Sequence, residues 1–180
     1  MKKKIIYLIA LGLLIISCGG VKTPAGESEV FIPCQGKEFT SDKNYFRAFG
    51  SAVSNNPNGA IQDAEQIAAQ QLALNIERKI KVVTERYSEN ITDGMKGEFT
   101  SVSNGLSRQV ANTTLSKVKT ICTKTTKDNK TGMYKYYTSI EISTNDIFNE
   151  LSSKIENDTK SKIRLNRENF RAIFDEELSN

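Results

Sequence analysis

The chain has 180 residues, a formal charge of +4, no histidine and no tryptophan. The missing histidine excludes Ser-His and Cys-His nucleophile pairs. With only three cysteines besides, a zinc site would have to be built mostly from carboxylates, and the glycine spacings match neither the dinucleotide fingerprint nor the P-loop, so no cofactor and no metal are expected.

The chain opens with Lys2, Lys3 and Lys4, followed by an apolar run from Ile5 to Ile16. A membrane-spanning helix needs about 20 apolar residues, and this run is shorter. A charged start, a short apolar middle and a small residue before a break describe a secretory signal peptide. The break is Ile15-Ile16-Ser17-Cys18, which resembles the bacterial lipobox. In that signal the cysteine thiol receives a diacylglycerol and cleavage occurs before it. Residues 1–17 are therefore expected to be the signal peptide, with Cys18 the lipidated first residue of the mature protein. Several acyl chains anchor firmly, since each buried CH₂ contributes about 0.8 kcal/mol. The expected partner is thus a membrane, held through lipid. Residue 19 is Gly rather than Asp, which by analogy with enteric sorting favours the outer membrane over the inner.

Removing residues 1–17 takes away three lysines and no acid, so the formal charge falls from +4 to +1. A nucleic-acid binder keeps a clustered basic excess, so no nucleic-acid partner is expected. Two further cysteines remain, Cys34 and Cys122. An even pair in an oxidising, exported compartment suggests a disulfide, with two separate buried thiols as the alternative.

Residues 18–42 read as anchor and tether, with an apolar island at Val30–Cys34 in which Pro33 forbids helix. A single domain is expected over residues 43–180. The stretch NYFRAFGSAV, Asn44 to Val53, alternates: Phe46, Ala48 and Gly50 face one way, Tyr45, Arg47 and Phe49 the other. The turn cluster Ser54–Gly59 offers Asn56 or Asn58 as a helix cap. A helix follows, with Ile61, Ala64, Ala68, Leu72 and Ile76 in one stripe. Its alanines allow close approach, so its first half should lie nearest the strands. Lys79–Asn90 reads either as a strand, through Val82 and Val83, or as more helix. A weaker helix carries Phe99, Val102, Leu106 and Val110 on one face. Two strands follow, Leu115–Thr126 and Met133–Ser143, joined by the turn KDNKTG. Ser143 or Thr144 then caps a helix carrying Ile147, Leu151, Ile155 and Ile163, and Phe170, Ile173, Phe174 and Leu178 continue at helical spacing. The expected class is α+β: a small, mostly antiparallel sheet packed by helices, in the order β-α-β-α-β-β-α. The long C-terminal helix, about 50 Å if unbroken, should either break near Lys160–Lys162 and fold back or project towards another protein.

FRAFG at Phe46–Gly50, the alanine-rich stripe through Ala60, Ala64, Ala68 and Leu72, and KYYTSIEIS at Lys135–Ser143 together resemble the twenty-kilodalton bacterial membrane lipoprotein family. In outline they are also similar to the N-terminal domain of the flagellar assembly protein T, and the segment Ile32-Pro33-Cys34 together with Arg47–Gly50 resembles outer-membrane lipoproteins of the Bacteroidetes. The resemblance spans roughly Tyr45 to Ile142. It implies an α+β domain on a surface or outer-membrane lipoprotein, and it brings no catalytic residues.

Arg47, between Phe46 and Phe49, is the charged residue singled out as a candidate binding residue, with pairing to a carboxylate on the exposed sheet face as the plainer alternative. Tyr134, Tyr136 and Tyr137 could form a stacking surface, although strand tyrosines commonly bridge core and water. Asp63 and Glu65, two residues apart on a helix, do not face each other. No catalytic residue is assigned. The expected function is a non-enzymatic envelope lipoprotein, a structural or partner-binding module that binds or assembles with another envelope component, with an envelope protein as the expected partner. The alternative is a carboxylate-dependent hydrolase, which would need a cleft holding two suitably spaced acids.

Overall fold

The computed structural model describes residues 24, 26–91, 93–158 and 164–179. The expected signal peptide, the lipidation site Cys18, the segment Lys160–Lys162 and Ile163 lie outside them. Three strands, β1 (Tyr45–Ser54), β2 (Lys119–Lys127) and β3 (Tyr134–Ser143), form one antiparallel sheet in the order β1-β3-β2. Four helices complete the α+β fold: α1 (Pro57–Glu89), α2 (Asp93–Thr114), α3 (Thr144–Glu156) and α4 (Arg167–Ser179). Among the described residues, no helix is long and apolar enough to cross a membrane.

The alternation in β1 takes the expected sides. Phe46, Ala48 and Gly50 are buried, as are Tyr136, Thr138, Ile140 and Ile142 on the matching face of β3. α1 packs over β1 and β3. Asn56 caps it, its side chain accepting the N–H of Asn58 at 2.9 Å, and Pro57 takes the first helical position, where a missing N–H costs nothing. Of the expected stripe Ala64, Ala68, Leu72 and Ile76 are fully buried, while Ala60 rather than Ile61 takes the first buried position and Ile61 is half-buried. The small residues come first, where the helix lies closest to the strands, and the large ones follow where it leaves them.

The strand considered for Lys79–Asn90 does not form, and the order becomes β-α-α-β-β-α-α, with α1 running unbroken through that segment. Ile80, Val83 and Tyr87 extend the stripe at helical spacing and are buried against other helices, while Val82 stays 44% exposed. Burial of that stripe outweighs the strand preference of two valines. In α2, Phe99 and Val110 are buried as expected, but Val102 and Leu106 are only half-buried, and the residues that follow each of them, Ser103 and Ser107, are buried instead. The Ser103 hydroxyl is satisfied within the helix, donating to the Thr100 carbonyl at 3.2 Å.

The C-terminal segment is two helices rather than one long one. α3 begins at Thr144, capped by Ser143, and ends at Glu156. α4 folds back onto the domain, burying Phe170 and Phe174 completely. An aromatic cluster joins the elements: Tyr87 lies 5.1 Å from Phe99 and 5.0 Å from Phe170, and Phe148 lies 5.4 Å from Phe174. The Tyr87 hydroxyl accepts the N–H of Asn166 at 2.9 Å, fixing the start of α4. Arg86 pairs with Glu176 and Glu177 near the other end.

One compact unit runs from Ile32 to Asn180 and includes Cys34 and a short 3-10 turn at Lys37–Phe39. In the other, Met1–Phe31, Val30 and Phe31 expose most of their side chains.

Candidate functional site

Pro33 and Cys34 form a turn in which the Gln35 N–H donates to the Ile32 carbonyl at 3.2 Å, and Cys34 has φ +59° and is buried. A left-handed backbone is uncommon for a residue with a Cβ, so other contacts must hold it. Two do. Cys34 is joined to Cys122 by a disulfide with Cα atoms 5.5 Å apart, and its carbonyl accepts the buried Ser139 hydroxyl at 2.8 Å. Cys122 reaches this place through an irregularity in β2. Thr120 pairs with Ile140, but Cys122, not Ile121, pairs with Ser139. The extra residue turns Cys122 onto the face of Ser139, as bulges re-aim side chains elsewhere. The disulfide therefore ties residues 33–42 across the sheet face opposite α1.

That tie brings the loop to Arg47. Arg47 pairs with Glu141 across β1 and β3, and Nε donates to Glu141 Oε2 at 2.9 Å. Nη1 donates to Asp42 Oδ2 at 2.7 Å and to the Thr40 carbonyl at 2.8 Å. Ser41 Oγ accepts the Arg47 N–H at 2.9 Å and donates to its carbonyl at 3.2 Å, standing in for a neighbouring strand. The guanidinium lies 5.2 Å from the centre of the Tyr45 ring. Asp42 also accepts the N–H groups of Asn44 and Tyr45 at 2.7 and 3.0 Å. The Arg47 hydrogen bond first, and these backbone donors next, hold the Asp42 carboxyl below the usual carboxylate value. Arg47 thus joins the carboxylate pairing weighed for it in the sequence. Nη2 has no protein acceptor among the described residues.

Beside this cluster lies an open cleft of about 410 Å³, walled by Gln35 and Phe39 of the loop, Arg47 and Phe49 of β1, and Gln71 and Asn75 of α1. Two aromatic rings, three carboxamides and one guanidinium edge provide stacking surface and paired donors and acceptors. Cys34 and Arg47 both line the cleft, and Cys122 holds its loop in place. The three tyrosines do not form one surface: Tyr136 is buried under α1 with Tyr134 half-buried against the same cluster and beneath Lys127 at 5.0 Å, whereas Tyr137 lies on the opposite sheet face beneath Lys135 at 4.9 Å. Asp63 and Glu65 are exposed on α1. Among the described residues no His, Cys, Asp and Glu group is placed to hold a metal ion.

Asp42, Glu141, Gln71 and Asn75 were not singled out from sequence. Gln71 and Asn75, at i and i+4, mark a polar stripe beside the apolar one, and that spacing was the available signal. Asp42 followed two residues later by Asn44 is an Asx-turn pattern, but nothing in the sequence points it at Arg47. Comparison with protein-family models, with curated proteins and with solved structures returns no match.

Proposed function

We propose that this chain is a lipid-anchored bacterial envelope lipoprotein of the outer membrane, and that its domain is a non-enzymatic partner-binding module using the cleft beside Arg47. The observation that carries the reading is the sequence Ile15-Ile16-Ser17-Cys18 after a short apolar run. The Cys34–Cys122 bond supports it, because such bonds persist in exported compartments and are rare in the cytosol. The resemblance to the membrane lipoprotein family points the same way.

The cleft favours binding over hydrolysis. A carboxylate-dependent hydrolase needs one acid that keeps its proton near neutral pH. The two acids beside this cleft converge on a single arginine, and Asp42 is held ionised. Such a cluster anchors a loop and leaves one guanidinium edge, Nη2, for a neutral or weakly acidic polar group of a partner.

Two measurements test the proposal. Mass spectrometry of the membrane-extracted protein should find an acylated N-terminal Cys18, and Cys18→Ser should lose detergent partitioning. Affinity purification from membranes should recover an envelope protein with wild type and lose it with Gln71→Ala/Asn75→Ala. An unacylated protein with its first residues intact would refute the anchor. Equal recovery by both forms would refute the cleft.

A further inference from the structure

The small net charge left after residues 1–17 conceals a local asymmetry. Between Leu115 and Lys135 stand six lysines, Lys117, Lys119, Lys124, Lys127, Lys130 and Lys135, with one acid, Asp128, and no arginine. This hairpin carries +5 against +4 for the whole chain, so everything else sums to −1.

Structure leaves this charge uncompensated. None of the six lysines has an ion pair among the described residues, whereas Arg47, Arg86, Arg167 and Arg171 all do. The one acid is engaged in the turn, where Asp128 Oδ1 accepts the N–H groups of Lys130 and Thr131 at 2.7 and 3.3 Å. β2 is an edge strand, and all its residues except Ile121 and Cys122 are exposed. Register sets Lys119 beside Glu141 and Lys124 beside Tyr137 on one face, and Lys127 beside Tyr134 on the other. Ammonium groups therefore emerge on both sides of one free edge.

We propose that the β2–β3 hairpin is a docking surface for an anionic lipid bilayer. An edge with lysines on both faces meets a flat charged surface edge-on, so that Lys119 and Lys124 on one face engage together with Lys127 on the other. Lysine is a hydrated point charge suited to a diffuse layer of headgroups, while sequence readout and bidentate phosphate binding favour arginine, which the hairpin lacks. Tyr134 and Tyr137 are already stacked beneath lysines, leaving no free aromatic platform for bases. Protection of a sheet edge from aggregation also uses lysine, but lysines in the turn and in the 3-10 turn before β2 add nothing to that role. The proposal rests on charge and exposure and stands whether or not Cys18 is acylated.

The test uses the full chain with Cys18→Ser, so that no acyl chain intervenes, and sedimentation with vesicles of phosphatidylcholine alone or mixed with phosphatidylglycerol. The readout is binding to anionic over neutral vesicles, and the N-terminal run, common to all variants, contributes equally. A lysine brought to such a surface strengthens partitioning about fivefold. Lys119→Gln/Lys124→Gln/Lys127→Gln should therefore lower the ratio on the order of 100-fold. Lys37→Gln/Lys43→Gln/Lys96→Gln, which removes the same charge elsewhere, should leave it near wild type. Sodium chloride should erase the wild-type preference. An unchanged ratio in the hairpin variant, with or without increased aggregation, would overturn the proposal. So would an equal loss in the control, or tighter binding of wild type to duplex DNA than to anionic vesicles at the same salt.

Discussion

A Cβ placed on Gly50 would lie 2.1 Å from the backbone carbonyl oxygen of Ala64 and 2.7 Å from the backbone nitrogen of Ala68. β1 and the first half of α1 touch backbone to backbone at this point, which is why the α1 stripe begins with Ala60, Ala64 and Ala68. Both neighbours are main-chain atoms, so no rotamer change relieves the clash. Gly50→Ala should destabilise the domain by about 3 kcal/mol or more. Gly105→Ala is the opposing control: nothing lies within 4 Å of its added methyl, and it sits inside α2. That change should stabilise by about 0.5–1 kcal/mol. Urea denaturation of both variants checks the two signs, and a tolerated Gly50→Ala would contradict the close approach.

Reducing the Cys34–Cys122 bond should weaken the fold without dissolving it. The bond closes a loop of sequence separation 88, for which the chain-entropy model gives about 4–5 kcal/mol. Once the bond opens, only Ser139 remains of the two contacts described at Cys34. Residues 35–41 should then loosen from Arg47 before the core unfolds. Thermal unfolding with and without reductant measures the first effect, and limited proteolysis should place early cleavage in residues 35–41. Two titratable thiols in the unreduced, folded protein would rule the bond out.

What was legible in the sequence was whatever a local period could carry. The faces of β1 and β3, the α1 stripe and the β2–β3 turn follow from alternation or helical spacing coupled to burial. Where two periods competed, at Ile80–Tyr87, only the helices packed against α1 decide between them. The expected buried face of α2 rests on Val102 and Leu106, because hydrophobicity is the signal. Ser103 and Ser107 are buried instead, and their polarity hides it. Arg47 was visible as a charge between aromatics, but Asp42 and Glu141 reach it only through the loop tie and the β1–β3 register. The irregularity at Ile121, which lets the disulfide form, has no sequence mark.

Asp42 predicts an acid dependence of stability. Its carboxyl is held below the ordinary value, chiefly by Arg47. The unfolded chain therefore takes up the proton first as pH falls. The stabilising contribution is full above the unfolded value of about 3.9 and fades as pH drops through the folded one. Half of the Asp42 side chain is exposed, so solvent screening keeps the effect within about 1 kcal/mol. Asp42→Asn should melt slightly lower than wild type near neutral pH, and the gap should close on acidification below about pH 4. Melting temperatures across that range are the measurement, and parallel curves would mean that Arg47 does not hold the carboxylate.

The last prediction concerns α4, whose apolar stripe could have been a partner surface. Phe170 and Phe174 are fully buried, and Phe170 meets Tyr87 edge-on at 77° while Phe174 packs on Phe148. Truncating a buried phenylalanine costs about 3–5 kcal/mol, a large fraction of the 5–15 kcal/mol that stabilises a typical domain. Phe170→Ala/Phe174→Ala should therefore leave the chain largely unfolded, and Phe170→Leu offers a graded step with a smaller loss. The two sites share neighbours, so their costs should not simply add. Tyr87→Phe isolates the polar contribution: it keeps the ring contacts and removes only the acceptor for the Asn166 N–H, costing about 0.5–1.5 kcal/mol. Chemical denaturation of the four proteins should rank them wild type, Tyr87→Phe, Phe170→Leu, then the double alanine variant. If the double variant unfolded like wild type, α4 would not be part of the core, and its phenylalanines would be free to meet a partner.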